Sequence, residues 1–273
     1  MKIALTGASG FVGSHIREHF TDYVVIGRKD TEEEILKKLE GVDIVINLAG
    51  SPIIKRWDDE YKKVLVSSRI ETTKKLVEAI DKSDIKLFIS TSAIGAYPDG
   101  DSYDESYSKY ADDFLGQLTK DWEAEAQKCK KMTAIVRFGV ILGNDGGALL
   151  SMLPSFKIGM GGIIGNGKMM TSWIDVDDLV RIYEYIIENR LTGVFNATSP
   201  NPVTNYKFTK ALGSVLKRPT ILPLPAFFLK ILFGEVSSVL TGSKEVYPKA
   251  LLKAGFEFKY KDIDSSLTHL LKD

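Results

Sequence analysis

The chain has 273 residues, of which 44% are hydrophobic and 26% charged, and these values are ordinary for a globular protein with a real core. Lys plus Arg and Asp plus Glu both number 36, so the net charge is zero, which argues against a general nucleic-acid binder because such a protein needs a basic field. The single cysteine, Cys129, permits no intrachain disulfide, so we expect a reducing compartment, the cytoplasm. Its charged neighbours in QKCKK indicate a plain surface thiol.

The N-terminal residues MKIALTGASG predict a first strand that leads into a glycine turn, rather than a signal peptide. No apolar stretch reaches the roughly 18–20 residues that a membrane-spanning helix needs. The nearest candidate, LPAFFLKILFG at 224–234, is interrupted by Lys230. We interpret it as a helix packed on the core, with a membrane-surface or partner-binding helix as the alternative.

Strands and helices alternate along the next part of the chain. Continuous apolar runs at 2–7, 23–28, 42–50 and 86–93 predict four strands, and helices are predicted at 11–20, 30–41 and 58–81. Continuous rather than alternating apolar strands are typical of a parallel sheet that is covered on both faces. This alternation of strands and helices therefore predicts an α/β fold with a doubly wound parallel sheet.

The second half of the chain continues this pattern and then changes. After a loop at 97–113, we predict a helix at about 111–130, a strand at 133–142, a helix at 173–189 and a last strand at 193–199. The Gly-rich stretch 143–170 is predicted to leave the sheet toward the substrate side. We divide the chain into a nucleotide-binding domain, 1–199, and a small, mostly helical C-terminal domain on the substrate side, 200–273, with about three helices.

A glycine-rich turn follows the first predicted strand. TGASGFVGS at 6–14 places Gly7, Gly10 and Gly13 between a strand and a helix. Gly7 permits a tight turn, Gly10 lets the backbone approach a diphosphate, and Gly13 lets the helix pack close to the sheet. The phosphates would meet free N–H groups at the helix N-terminus. The motif predicts a Rossmann dinucleotide site, with an ordinary glycine turn as the alternative.

The end of the second predicted strand selects the nucleotide. An acidic residue there would bind the ribose hydroxyls of NAD, but this chain has Gly27, Arg28 and Lys29. A guanidinium suits a phosphate, so Arg28 predicts NADP(H) rather than NAD(H) as the cofactor. Asp30 weakens this preference slightly, and the alternative is that Arg28 and Lys29 are only solvated charges.

Three motifs together resemble the extended short-chain dehydrogenase/reductase superfamily: TGASGFVGS, NLAG at 47–50 and STSA at 90–93. SSRIETT (67–73), DDFLGQLTKDWEAEA (112–126) and a tail beginning at VTNYKF (203–208) are similar to an atypical branch, the NAD(P)-dependent or sugar-nucleotide epimerase-like proteins with a small C-terminal domain of unknown function. The resemblance implies that Ser92 stands where the superfamily places its substrate-polarising Ser. It also implies cofactor contacts from Gly7, Ser9, Gly10, Phe11, Val12, Arg28 beside Gly27, and the turn Leu48, Ala49 and Gly50.

The Tyr-x-x-x-Lys pair of that superfamily is missing. Tyr107 is followed four places on by Ala111, Tyr110 is followed by Phe114, and Lys120 is preceded by Gly116. In the ordinary mechanism the Tyr passes a proton to the carbonyl and the Lys holds the nicotinamide ribose. The candidate replacements are Ser92 as a hydrogen-bond donor, Tyr97 as a proton donor and Lys120 at the ribose. A purely structural role is the alternative for each.

The predicted substrate side includes Arg56, for an anionic group, and Trp57 and Trp173, for stacking on a ring, with core packing as the alternative for both tryptophans. His15 and His19 lie one helical turn apart, but no third ligand is suggested, so no metal is predicted. The first hypothesis is an NADP(H)-dependent oxidoreductase or epimerase-like enzyme acting on a small, anionic substrate. The second is an NADP(H)-binding sensor or protein-interaction module with little turnover. A homodimer or a protein partner stays open, and an exposed apolar face on 224–234 would favour the second hypothesis.

Overall fold

A computed structural model describes residues 1–272, with the side chains of Ala226, Leu232 and Phe233 excepted. The strands are β1 (Ile3–Thr6), β2 (Tyr23–Val25), β3 (Ile44–Asn47), β4 (Leu87–Ala93), β5 (Ser102–Tyr103), β6 (Met132–Phe138), β7 (Val140–Leu142), β8 (Ile163–Ile164), β9 (Met170–Thr171), β10 (Trp173–Asp175), β11 (Gly193–Ala197), β12 (Val203–Thr204), β13 (Pro223–Leu224) and β14 (Glu245–Val246). The helices are α1 (Phe11–His19), α2 (Glu32–Leu39), α3 (Asp59–Val66), α4 (Thr72–Asp81), α5 (Phe114–Gln127), α6 (Gly147–Lys157), α7 (Val176–Glu188), α8 (Asn205–Leu216), α9 (Ala226–Phe233), α10 (Ser237–Thr241), α11 (Lys249–Lys253) and α12 (Ile263–Leu271).

Six parallel strands form the central sheet in the order β11-β6-β4-β3-β1-β2. Helices α1 and α7 cover one face, where Ile16, Leu179 and Ile182 are buried, and α2, α4 and α5 cover the other. The prediction of a doubly wound parallel sheet is confirmed. Because β2 lies on one side of β1 and β3 on the other, the chain reverses its direction across the sheet at β1 and β3. Ligands of open α/β sheets bind at such a switch point, outside the carboxyl ends of the strands.

The long helix predicted at 58–81 is present, but it is interrupted. Between α3 and α4, residues Ser67–Glu71 form a π-helical turn. The interruption turns Ser68 and Arg69 toward the interior, where both are buried. The 3.6-residue pattern alone did not predict this break.

The strand predicted at 133–142 divides at Gly139. β6 stays in the central sheet, whereas β7 pairs with β10. A Cβ on Gly139 would lie 2.7 Å from the carbonyl oxygen of Ser172, so the backbones approach too closely for a side chain. The Gly-rich stretch that follows contains helix α6, and the helix predicted at 173–189 begins with the short strand β10.

Residues 200–272 contain five helices rather than about three. α8 and α12 pack together, and α6 packs against α8, around a core that includes Leu149, Phe208 and Leu267. Helix α9 only partly meets the expectation of a helix packed on the core. Its Leu229 is buried, but Phe227, Phe228 and Ile231 are 60%, 51% and 69% exposed. No helix within the described range is long and apolar enough to cross a membrane.

The prediction that Cys129 is a surface thiol is wrong. Its side chain is buried beside Ala126 and Ile135, because the end of α5 turns back to begin β6. Burial raises the pKa of the Cys129 thiol, so the reactive thiolate is disfavoured.

Candidate functional site

The glycine turn packs directly against the turn that follows β3. Gly7 has a φ of +66°, and a Cβ there would lie 2.5 Å from the carbonyl oxygen of Leu48. A Cβ on Gly13 would lie 2.3 Å from the carbonyl oxygen of Gly7. Both glycines are therefore required by close backbone contacts, one between the two turns and one between the turn and α1.

A buried set of hydrogen bonds holds these turns at the switch point. The Thr6 hydroxyl donates to Asn47 Oδ1 at 2.7 Å and accepts from the backbone N–H groups of Leu48 and Ala49, each at 3.1 Å. Asn47 Nδ2 donates to Thr73 Oγ1 at 2.9 Å, which connects the turn to α4. Thr6 and Thr73 were not singled out in the sequence, because only the fold brings them to Asn47.

The N-terminus of α1 is open toward the crevice. Gly10 is the N-cap residue and makes no side-chain capping bond, and both Ser9 and Gly10 are exposed. A Cβ on Gly10 would meet only the carbonyl oxygen of Gly7, at 3.3 Å. The free N–H groups and the positive end of the helix dipole can therefore receive an anion here.

Phe11 and Val12 begin α1 with part-buried side chains. The Phe11 ring lies against three glycines of the Gly-rich stretch, and built Cβ atoms on Gly143 and Gly146 would lie 2.3 and 2.2 Å from ring atoms. Val12 packs on the central core. The two side chains therefore fix α1 in place, and any contact they make with a phosphate is expected from the backbone.

Arg28 is exposed just beyond the end of β2, with Nη2 3.4 Å from Ser51 Oγ. The neighbouring Asp30 carboxylate accepts from the Gly27 N–H and from Lys38 Nζ, both at 2.6 Å. Asp30 therefore serves the turn itself. Asp30 therefore repels a phosphate beside Arg28 less than the sequence suggested, because Lys38 already balances the negative charge of its carboxylate.

Ser92, at the end of β4, is buried in a network of charged groups. Its hydroxyl donates to Glu123 Oε1 at 2.5 Å. Arg137 donates to both oxygens of Glu123, from Nε and Nη2, each at 2.7 Å, and the Tyr110 hydroxyl donates at 2.7 Å. Glu123 and Arg137 were missed in the sequence because α5 and β6 come together only in the folded chain.

Tyr97 belongs to the same network and has no accessible surface. Its hydroxyl accepts from Arg137 Nη1 at 2.9 Å and donates to Asn196 Oδ1 at 3.0 Å. Its ring stacks on Tyr103 with centroids 5.1 Å apart. Burial raises the pKa of Tyr97, although Arg137 opposes the shift. This buried position agrees with a purely structural role for Tyr97, which was the alternative to a role as proton donor.

Lys120 is exposed on α5. The face of α5 that meets the end of β4 carries Leu115 and Thr119, since a Cβ on Gly95 would lie 3.6 and 3.9 Å from their side chains. These residues are four apart, the spacing of the missing Tyr-x-x-x-Lys pair. The Thr119 hydroxyl donates to the carbonyl oxygen of Leu115 at 2.8 Å, within the helix. An apolar and a hydroxyl side chain, and not Lys120, thus face the end of β4 from α5.

A cleft of about 450 Å³ adjoins this face of α5. Its walls include Trp57, Phe114 and Leu115 on one side and Lys230, Glu235 and Ser238 on the other. Trp57 is 9% exposed, donates from Nε1 to the carbonyl oxygen of Ile53 at 2.9 Å, and packs edge-on against Phe114. The cleft brings residues of the C-terminal part next to the first turn of α5.

Neither of the other two residues predicted to bind substrate lines this cleft. Arg56 is exposed beside Trp57. Trp173 has no accessible surface, and its indole donates to the carbonyl oxygen of Asn201 at 3.2 Å among Leu142, Val203 and Phe208. Trp173 therefore follows the core-packing alternative, because β10 pairs with β7 and its indole is enclosed by the cluster that α6, α8 and α12 form.

Arg69 lies at the edge of the crevice and was not singled out in the sequence. It is buried beside the β3 turn, and a Cβ on Gly50 would lie 3.0 Å from its guanidinium. Its position in the sequence did indicate burial. Arg69 is four residues after Leu65 and seven before Leu76, and both of these apolar residues belong to the buried stripe of the helix. A charge within such a stripe is unusual and points to a specific role.

Comparisons with known proteins agree with this geometry. The family model described as NAD dependent epimerase/dehydratase family matches residues 3–198, and the model described as a domain of unknown function, DUF1731, matches residues 224–270. The chain is 36% identical over 303 residues to the chloroplastic epimerase family protein SDR39U1 homolog of Arabidopsis thaliana, covering 100% of this chain and 87% of that protein. It is 34% identical to the epimerase family protein YfhF of Bacillus subtilis, covering 100% and 99% of the two chains.

Solved structures give the same result. The human epimerase family protein SDR39U1, isoform 2, determined with NADPH, matches with a TM-score of 0.93 and 30% identity over 100% of both chains. The nucleoside-diphosphate sugar epimerase of Corynebacterium glutamicum matches with a TM-score of 0.79 and 29% identity, covering 99% of this chain and 58% of that one. These similarities confirm the resemblance that the sequence motifs indicated.

Proposed function

Because the chain belongs to the NAD dependent epimerase/dehydratase family, we propose that it is an NADP(H)-dependent oxidoreductase or epimerase-like enzyme that acts on a small, anionic substrate. The observation that carries this proposal is the crevice between β1 and β3. There the open N-terminus of α1 faces the Leu48–Gly50 turn, and Arg28 lies at the nucleotide-selecting position. The human relative solved with NADPH supports the choice of the phosphorylated cofactor.

The chain's own residues fit a dinucleotide. Gly10 leaves room for a diphosphate at the N-terminus of α1, and Arg28 offers an exposed guanidinium for a 2′-phosphate. The nicotinamide, when bound, supplies or accepts a hydride. We expect backbone contacts from Ser9 to Val12 and from Leu48 to Gly50 to hold the cofactor.

Ser92 has a defined direction of hydrogen bonding. Its proton is directed at Glu123 and the residue is 1% exposed, so a substrate hydroxyl reaches its free lone pair only when the residues that cover the end of β4 move. Donation to a substrate carbonyl requires the Ser92 O–H to turn away from Glu123. Since Tyr97 has no accessible surface, water is the proton source that we propose, and Lys120 stays a proposed contact to the ribose.

The cleft beside α5 is the proposed substrate site. Lys230 is the cation that we propose for a phosphate or carboxylate group, since Glu235 in the same lining is already paired with Lys62 at 2.6 Å. Trp57 gives the cleft an aromatic wall, and the exposed Arg56, its neighbour in the sequence, stays a proposed substrate contact. A small, anionic compound with a ring or an alkyl segment fits these walls.

A hydride-transfer assay tests the proposal. The purified protein would be loaded with NADPH deuterated at the transferring carbon, mixed with a small-metabolite extract, and analysed by mass spectrometry. We expect deuterium in one metabolite, lost in Ser92→Ala and retained in Ser155→Ala, an exposed control on α6. Tight NADPH binding without any transfer would contradict a net oxidoreductase. An epimerase that returns the hydride would then be sought by a change in product stereochemistry.

One observation favours a second candidate function, an NADP(H)-binding sensor or protein-interaction module. Phe227, Phe228 and Ile231 form an exposed apolar face on α9, beside the substrate cleft. If this face binds a second copy or another protein, Phe227→Ser with Ile231→Ser should reduce assembly in sedimentation experiments. If the wild-type protein and the double variant both sediment as monomers, self-assembly through α9 is contradicted.

A further inference from the structure

Two loops meet at one end of the short ladder that β8 and β13 form. The two strands pair in parallel, with Ile163 beside Pro223. One loop joins α6 to β8, and the other joins α8 to β13. Because paired parallel strands start at the same end, the two loops lie side by side. Their backbones are in contact, since a Cβ on Gly162 would lie 2.2 Å from the carbonyl oxygen of Leu222.

Four apolar side chains on these loops are exposed. Ile158 and Met160 precede β8, Ile221 and Leu222 precede β13, and more than half of each residue's surface is accessible. We call these four residues the apolar tip. At 82%, Ile221 is the most exposed large hydrophobic residue of the described chain, so the apolar tip protrudes rather than lining a groove. Single exposed apolar residues are normal, but adjoining ones mark an interaction site.

The apolar tip is surrounded by positive charge. Lys157 ends α6 directly before the first loop, Lys217 and Arg218 begin the second, and all three are exposed. Arg218 Nε also donates to the carbonyl oxygen of Lys157 at 2.7 Å, which joins the two loops. The segments 146–174 and 191–234, which supply these elements, contain seven Lys and Arg residues and no Asp or Glu. In a chain of zero net charge, the cations are therefore concentrated around this surface.

These properties decide which partner fits the apolar tip. A second copy of the chain fits poorly, because a symmetric contact would bring the same cations together. A stable protein interface also needs about 20–30 residues on each side, more than the ends of two loops provide. A lipid surface needs less. A few apolar side chains enter the boundary between headgroups and acyl chains, while the surrounding cations are attracted to anionic headgroups.

We propose that the apolar tip anchors the protein on the surface of an anionic lipid bilayer. Its four side chains enter the boundary between headgroups and acyl chains, and Lys157, Lys217 and Arg218 contact anionic headgroups. The anchor consists of two loops held together by the ladder and by the bond from Arg218. Binding through these loops needs no dinucleotide, so this proposal is independent of the proposed function.

Co-sedimentation with lipid vesicles tests the charge requirement. We expect the wild-type protein to bind vesicles of equimolar phosphatidylcholine and phosphatidylglycerol, and to bind phosphatidylcholine alone much less. Lys157→Gln with Lys217→Asn should weaken binding to the mixed vesicles by about five-fold for each cation removed. Asn suits position 217 because Lys217 has a positive φ. The control, Lys74→Gln with Lys253→Gln, removes exposed lysines of α4 and α11 and should bind nearly as the wild-type protein does.

A second pair of variants tests the apolar requirement. Ile221→Ser should weaken vesicle binding by about 10-fold, because one inserted side chain is lost. Leu252→Ser, which changes an exposed leucine of α11, is the matched control and should bind as the wild-type protein does. Both side chains are exposed, so both variants should melt at the temperature of the wild-type protein. A loss of binding in Ile221→Ser alone therefore reports the apolar tip rather than unfolding.

Insertion can be observed directly with Ile221→Trp. The native tryptophans, Trp57, Trp122 and Trp173, are all buried, so lipids brominated in their acyl chains should quench only the added indole. We expect quenching that grows with the fraction of bound protein. Unquenched fluorescence in vesicle-bound Ile221→Trp would overturn the insertion of the apolar tip.

Two other results would also overturn the proposal. One is the absence of binding to vesicles of either composition, and the other is equal binding by Ile221→Ser and the wild-type protein. Self-association of the wild-type protein that is lost in Ile221→Ser, without vesicle binding, would assign the apolar tip to a second copy instead. None of these outcomes changes NADPH binding in the absence of lipid, so the proposed function is tested separately.

Discussion

The Ser92 hydroxyl donates a 2.5 Å hydrogen bond to Glu123, so the serine expected to polarise a substrate is connected to a buried carboxylate. Arg137 donates to both oxygens of that carboxylate, and its Nη1 donates to the Tyr97 hydroxyl. The network gives the end of β4 a fixed polar geometry. The superfamily pair is absent, and a charged network organises the same region.

Glu123→Gln should strongly destabilise the fold, because it leaves the buried Arg137 without its counter-charge. Breaking one partner of a buried ion pair costs about 3–5 kcal/mol in free energy of unfolding. Urea denaturation would measure this loss. The matched control is Glu60→Gln in the exposed pair with Lys63, for which at most about 1 kcal/mol is expected. Similar losses in the two variants would contradict the buried network.

Two glycine substitutions should separate stability from cofactor binding. Gly13→Ala places a Cβ 2.3 Å from a backbone oxygen, so we expect overpacking to cost about 1–3 kcal/mol of stability. Gly10→Ala meets one backbone oxygen at 3.3 Å, so the protein should fold with a smaller loss. Its methyl group should obstruct the diphosphate and weaken NADPH binding by about 10-fold or more. Denaturation and NADPH titration of both variants test this, and normal NADPH affinity in Gly10→Ala would argue against the crevice.

Arg28→Ala should remove a preference for NADPH over NADH. A guanidinium paired with a 2′-phosphate contributes affinity only to the phosphorylated cofactor, so NADPH affinity should fall about 10-fold or more. NADH affinity should be unchanged in the same titration. Lys29→Ala, the neighbouring exposed cation, should have a smaller effect. If Arg28→Ala leaves both affinities unchanged, the assignment of NADP(H) to Arg28 is wrong.

Asp175→Asn should alter the pH dependence of stability. Burial raises the pKa of the Asp175 carboxyl from 3.8 to about 6, although bonds from Ser266 and the Asp177 N–H oppose the shift. Between these pH values the native state binds more protons than the unfolded state, so the free energy of unfolding falls as pH rises from about 4 to about 6. The total loss is on the order of 3 kcal/mol.

Asn can keep the N-cap of α7 through its Oδ1, and its amide NH2 can donate to the Ser266 hydroxyl in place of the bond that Asp175 Oδ2 accepts. The variant should therefore gain stability relative to the wild-type protein as pH rises through this interval, as measured by urea denaturation at several pH values. The control is Asp262→Asn at the exposed N-cap of α12. The difference in free energy of unfolding between this variant and the wild-type protein should not grow over the same pH interval. A parallel response of Asp175→Asn and the wild-type protein would contradict the buried carboxyl.

The sequence by itself determined the sheet and the cofactor crevice. Gly7, Gly10 and Gly13 act through the local backbone of one turn, and the apolar strands show by composition that both faces of the sheet are covered. Arg28 was identified because the end of β2 is a fixed distance along the chain from the glycine turn. These features depend on residues that are close together in the sequence, so they can be predicted from the sequence alone.

Only the tertiary structure decided which polar residues face one another. Ser92 and Glu123 are joined across β4 and α5, Tyr97 is enclosed by residues from four segments, and Trp173 is buried because β10 pairs with β7. Arg69 faces Gly50 because a π turn changes the direction of its helix face. Each arrangement depends on contacts between residues far apart in the chain, and the free energy of those contacts is absent from any local pattern.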